Sequence, residues 1–187
     1  MNLGEILLDV DVLVANNIMP SVKVRWINQI QRQCYRDLPI DDEIYPFCVD
    51  PCQRVYAVPD NCSLDNISSV LIGGIEYDPV ADGEVHTPRY FWSNVAGQFM
   101  VNSVPEQCST GLITYRPTPQ ELKADQLSSV PMLPVDYHQL LVDGCAARVA
   151  KAEGDDRKAP MYEMSFEKLF AKAKRDLAKP LPDMRVE

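Results

Sequence analysis

The stretch that most limits what this chain can become is its last third, VDYHQLLVDGCAARVAKAEGDDRKAPMYEMSFEKLFAKAKRDL. It reads as two helices joined by a tight Gly154-Asp155-Asp156 turn. In the second helix, Ala159, Tyr162, Phe166, Leu169, Phe170, Ala173 and Leu177 recur at helical spacing and define one apolar face. Glu163, Glu167, Lys168, Lys172, Lys174 and Arg175 lie between them and can stay in water. Their phasing offers little i,i+4 charge pairing, so burial of the aromatic face has to hold this helix. Asp155 or Asp156 is placed to cap its start, and Pro160 falls in or just after the first turn, where the missing N–H costs least. The basic run Lys172, Lys174, Arg175, Lys179 suits the negative end of the helix dipole.

The preceding helix follows Pro131 and Pro134. Asp136 reads as its N-cap with Gln139 to answer it, Tyr137, Leu140, Leu141, Cys145 and Val149 as its apolar stripe, and Gly154 as its terminator. Gly144, Ala146 and Ala147 are small enough to let another backbone approach. A mid-helix Gly costs roughly 1 kcal/mol against Ala, which predicts that Gly144 faces a neighbouring helix. This region is built for packing and carries no catalytic signature, so the chain reads as an assembly component rather than a catalyst.

The N-terminal 38 residues also read as helical. Leu3, Ile6, Leu7, Val10, Leu13 and Val14 keep the helical period, Asn16-Asn17 and Pro20 break it, and Pro20-Ser21 opens a second helix. That helix directs Val24, Ile27, Ile30, Cys34 and Leu38 to a core and leaves Asn28, Gln29, Gln31, Arg32 and Gln33 mostly outside. Residues 39–130 hold most of the Pro and Gly and several short strand-like runs. Ser69 to Tyr77 is a hairpin signal, because Gly73-Gly74 fits a two-residue primed turn between apolar runs. Arg54 to Val58 and Arg89 to Trp92 read as strands, and Gln98–Val101 with Leu112–Tyr115 as an antiparallel pair. The expected fold is α+β and mainly α: a four-helix core of two helical hairpins (1–38 and 136–179) around an antiparallel β insert (39–130), forming one domain over 1–179, with an extended arm over 180–187. Pro180 and Pro182 stop the last helix there.

Among 187 residues, 46% are hydrophobic, enough for a substantial core. The net charge of −9 argues against a protein that grips nucleic acid through a basic surface, though not against one that surrounds DNA loosely. No apolar stretch is long enough to span a bilayer, and the acidic N-terminus lacks the basic start of a signal peptide; assembly in a reducing cytoplasm follows as an expectation. In that setting the six cysteines are expected as thiols. A metal-binding module would draw on Cys34, Cys48, Cys52 and Cys62, but the C-x3-C spacing has no second close pair and Pro51 stiffens its loop, so no metal and no cofactor is expected. No nucleophile-elbow, phosphate-loop, dinucleotide or zincin pattern occurs. His86 and His138 are the two histidines, His138 reads as a surface or packing residue, and Asp41-Asp42-Glu43 reads as a solvated turn.

Three segments, taken together, resemble the bacteriophage head-to-tail connector (adaptor) proteins. These are VRWINQIQRQCYRDL (Val24–Leu38), FWSNVAGQFMVNSVPEQCSTGLITYRPTP (Phe91–Pro119) and the helical pair Tyr137–Leu177. They occur in the family's order and cover roughly half of the chain; the cysteine-rich stretch Cys48 to Cys62 has no counterpart in that pattern. The resemblance implies a structural virion protein that forms a homo-oligomeric ring, usually of twelve copies, under the portal. Such a ring extends the DNA channel without binding DNA specifically and offers its far side to a tail or stopper protein. It places the protein at the capsid–tail junction, assembled in the bacterial host cytoplasm. Residues Pro180, Leu181, Pro182, Met184 and Arg185 become the candidate portal-binding arm. Trp26, Trp92, Phe99 and Met100, together with Phe91, Met161 and Met164, become candidates for the subunit interface, the alternative for the aromatics being the insert's own core. A different neck component, a stopper or tail-completion protein, is the alternative role.

Overall fold

The computed structural model of the chain describes residues 1–80, 89–95, 97–103 and 107–178. Local signals set the helices. Asn2 caps α1 (Leu3–Leu13): its Oδ1 accepts the Glu5 N–H at 2.9 Å, and the Glu5 carboxylate accepts the Asn2 N–H at 2.8 Å, a reciprocal capping box. Pro20 stands at the first position of α2 (Pro20–Asp37). The C-terminal pair is α3 (His138–Ala152) and α4 (Lys158–Leu177). Gly154 has φ +73° between them, and the N–H groups of Asp155 and Gly154 return to the Ala150 and Lys151 carbonyls at 2.8 and 3.3 Å, a Schellman-type stop. Asp155 then caps α4, its Oδ1 accepting from the Arg157 and Lys158 N–H groups.

Asp136 does not cap α3; it lies in a 3₁₀ turn (Val135–Tyr137), and Gln139 instead donates to Asp143 at 2.8 Å. The two-hairpin arrangement is corrected as well. α3 packs on α4, α2 and α1, whereas α1 and α2 touch each other little. The reason lies in α3 itself, where Leu140, Leu141, Val142, Cys145, Ala146 and Val149 are buried around most of its circumference.

The chain divides into two compact units, one of Met1–Ile40 with Pro119–Glu187 and one of Asp41–Thr118. The second unit overturns the expected fold class. Instead of a small antiparallel insert on a four-helix core, it is a seven-stranded mixed sheet. Its strands are β1 (Glu43–Val49), β2 (Val55–Ala57), β3 (Ile67–Ile72), β4 (Ile75–Pro79), β5 (Tyr90–Val95), β6 (Gln98–Val101) and β7 (Ser109–Tyr115), in the order β1-β7-β3-β4-β5-β6-β2. β4 and β5 pair in parallel at Asp78↔Tyr90 and Pro79↔Phe91. β6 and β7, expected to pair, belong to different neighbours: β6 joins β5 and β2, and β7 lies between β1 and β3. The β3–β4 hairpin is as expected, with Gly73 and Gly74 at φ +58° and +79°, as a primed turn requires.

The sheet curls over its own core. Phe47 on edge strand β1 lies 5.0 Å, ring to ring, from Tyr56 on the opposite edge strand β2. Phe99 sits between them, 5.7 Å from Phe47, 5.5 Å from Tyr56 and 5.8 Å from Phe91, so four aromatics close the curl. β1 carries Pro46, which an edge strand tolerates because one side of its ladder is unpaired.

Candidate functional site

The helical unit presents two surface features. The first is a groove of about 500 Å³ between α2, α3 and α4. Its floor is made by Gly144 and Ala147 of α3 and Ile30 of α2, and its wall by Phe166 and Phe170 of α4. The two Phe rings lie 5.6 Å apart, tilted by 31°, and remain half-buried, although they stand on the face that the periodicity directs to the core. Gly144 does face neighbouring helices: a Cβ there would lie 2.9 Å from Ile30 Cδ1 and 3.2 Å from Phe166. The missing side chain therefore sets the depth of the groove.

Polar bonds hold its walls in place. Asp143, buried in α3, accepts from Gln139 and from Ser165 Oγ of α4 at 2.7 Å. Arg148 donates to Gln29 Oε1 of α2 at 2.6 Å, and burial pulls its guanidinium somewhat below its ordinary range. Arg148, Glu163, Glu167 and Lys174 edge the groove.

The second feature is the outward face of α1. Leu8 and Val12 are 64% and 77% exposed, one helical turn apart, with Glu5 and Asp9 exposed beside them. Met161 and Met164 of α4 are likewise more than half exposed, matching their position off the main stripe.

The candidate interface aromatics fall in different places. Trp26 is half-buried against the helical core. Trp92 is half-buried and pairs with Tyr90 at 5.6 Å, and Met100 is half-buried on β6. Phe99 is corrected: it is fully buried at the centre of the sheet's aromatic cluster, as is nearly all of Phe91, so neither offers a surface. The arm residues Pro180, Leu181, Pro182, Met184 and Arg185 lie outside the described residues, as does His86.

Two polar residues expected outside are buried. Asn28 and Gln31, expected outside, point from α2 into the unit. Asn28 donates to the Leu122 carbonyl and accepts the Leu122 N–H, both at 2.9 Å, so its amide pairs with the backbone as a strand would. Gln31 donates to the Gln120 carbonyl at 3.2 Å. Their position on the α2 stripe, at i+1 from Ile27 and Ile30, was the available signal.

The groups that could have served chemistry have structural partners. His138 is buried in α3, with Nε2 2.7 Å from the Leu133 carbonyl, which fixes the proton on that nitrogen. Asp42 accepts from Ser68 Oγ at 2.7 Å and lies 3.6 Å from Arg116. Glu43 opens β1 and accepts from the Tyr115 hydroxyl at 2.7 Å, and burial, then this carboxylate, pushes that phenol up to about 12. Cys34 is buried in the helical unit, its thiol pushed up to about 12 by burial and then by Asp37. Cys48 and Cys52 are exposed and Cys62 half-buried in the sheet unit. Among the described residues, no three His, Cys, Asp or Glu side chains come together to hold a metal ion. Among them, too, no helix is long and apolar enough to cross a membrane.

Two units, one helical with exposed apolar faces and one a curled sheet, define a chain built around packing surfaces. The family model of the SU10 adaptor protein matches residues 1–185, and the chain belongs to that family. It is a family of bacteriophage adaptor proteins, structural components of the virion. Comparison with curated proteins finds no match.

Proposed function

We propose that this protein is the head-to-tail adaptor of its phage. Identical copies form a ring, of twelve subunits, beneath the portal. The ring lengthens the DNA channel and gives the tail its docking face. The family match over residues 1–185 carries this reading. It is supported by apolar side chains that an isolated subunit leaves in water, Leu8, Val12, Met161 and Met164 among them. A net charge of −9 suits a conduit past which DNA must slide without adhering. In this role the two units act together as one connector domain over residues 1–179, Trp26, Trp92 and Met100 remain candidates for subunit contacts, and residues 180–187 form the arm that reaches the portal. The protein supports assembly and catalyses no reaction.

The test is to mix the purified protein with portal-bearing, tailless capsids and image them by electron microscopy. A ring of added density at the portal vertex is expected. Binding spread over the capsid, or none at the vertex, would contradict the adaptor role.

A further inference from the structure

The geometry points to a contact between copies in which the outward face of α4 on one subunit meets the outer face of β1, β7, β3 and β4 on the next. This contact rests on the adaptor reading, which supplies the neighbouring copy. The first observation is an unequal division of charge. Residues 41–118, the sheet unit, hold 11 of the chain's 27 acids, no lysine, and 3 of its 18 Lys and Arg, namely Arg54, Arg89 and Arg116. That unit therefore carries −8 of the net −9, and the helical unit is left at −1. Two sheet units set against each other would bring like charges together, which opposes association. A contact between copies that engages the sheet is thus directed to the helical unit.

The second observation is where the helical unit shows uncompensated positive charge. Met161, Met164, Lys168, Lys172 and Arg175 are all exposed and recur at i, i+3, i+7, i+11 and i+14, one narrow face of α4. Glu163 and Glu167 stand on the groove side instead. Among the described residues, none of these three cations is held in an ion pair. The third observation is that the sheet turns a matching surface outward. Leu71 and Leu112 alternate with the buried Val70, Ile72 and Ile113, so they point away from the core, and both stay half-exposed. Pro46, Leu112, Leu71 and Glu76 face one another across β1, β7, β3 and β4 in a single cross-strand row. Ile44, 65% exposed, lies two residues from Pro46 on the same side of β1. Asp78 follows Glu76 on that side of β4, and both acids are exposed. The sheet thus offers an apolar strip edged by acids, and α4 offers two methionines continued by cations. These are separate patches of one chain. A contact between different patches is heterologous, the type that propagates from copy to copy and closes a ring.

The test uses two full-length variants, both altered at exposed positions. One carries Lys168→Glu, Lys172→Glu and Arg175→Glu on α4; the other carries Glu76→Lys and Asp78→Lys on β4. Each should keep the circular dichroism of the parent and, alone, close no rings on portal-bearing capsids. An equimolar mixture should restore closed rings, because each reversed face then meets its opposite on a neighbour. Rings from either variant alone, or none from the mixture, overturn this contact and leave the adaptor role standing. A second arm decides if circular dichroism is lost. In a chain with the exposed Cys48, Cys52 and Cys108 replaced by Ser, Lys168→Cys and Glu76→Cys are introduced together or singly. Rings assembled on capsids are treated with a short bismaleimide and run under denaturing conditions. The doubly substituted chain should give a ladder of covalent multimers beyond the dimer, and each single substitution none. Rings without a ladder, or a link confined to single chains, overturn this contact alone. Capsids that recruit no unmodified protein overturn the adaptor role and this contact with it.

Discussion

At the scale of single residues, Asn28 shows how one side chain can do the work of a strand. Residues 119–130 run beside α2 without regular secondary structure of their own, and their backbone polar groups need partners. The Asn28 carboxamide satisfies both groups of Leu122 in a buried setting. Asn28→Ala would leave that N–H and carbonyl unpaired, at a cost of roughly 2–4 kcal/mol. Urea unfolding followed by helical circular dichroism should show the loss, whereas Arg25→Ala, at an exposed position of the same helix, should change little. Lys23 shows the same economy with a charge: it is buried in α2, yet its ammonium pairs with Asp11 at the far end of α1. Gln31 Oε1, by contrast, is buried with no hydrogen-bond partner among the described residues, and we have no physical account of why it is left so.

At the scale of elements, the curl of the sheet depends on a pairing between a glycine and an aromatic ring. Gly111 on β7 lies opposite Phe47 on β1, and a Cβ at Gly111 would meet three Phe47 ring atoms at 2.2–2.6 Å. The ring lies over the glycine and from there reaches Tyr56 and Phe99. Gly111→Ala would push Phe47 away from that cluster, costing about 1–3 kcal/mol by overpacking. A fall in thermal stability is expected, and Phe47→Leu combined with Gly111→Ala should lose less than the two single losses added, because both act on one contact. α3 is the helical counterpart of β7. Its small residues let α4 and α2 approach on one side while Leu140 and Leu141 fill the core, so a single element organises each unit.

At the scale of the whole molecule, the proposed assembly contacts would draw on surface that the two cores leave unused. The buried residues of the helical unit form one cluster and those of the sheet unit another. Leu8, Val12, Met161 and Met164 belong to neither cluster. If residues 180–187 are the proposed portal-binding arm, their removal should leave the melting profile unchanged while weakening attachment to portal-bearing capsids by about tenfold or more, about 1.4 kcal/mol. Co-sedimentation with the capsids measures this, and undiminished attachment would remove the arm from the adaptor mechanism.

The four helices, the Schellman stop at Gly154 and the Gly73-Gly74 hairpin could be read from the chain alone, because periodicity, caps and turn conformation are set by neighbours along the backbone. So could the packing role of Gly144, since a mid-helix glycine needs a close neighbour to offset its cost. β1 escaped notice because Pro46 and the acidic start of the strand disguise a half-exposed edge. The pairing of β6 with β5 and β2, the parallel β4–β5 contact and the placement of α3 among three helices depend on which distant segments meet. Local pattern does not encode that choice. The burial of Asn28 and Gln31, and of Phe99 rather than its exposure to a partner, was settled by the same long-range packing. An amide or a ring can face either way until the opposite wall is in place.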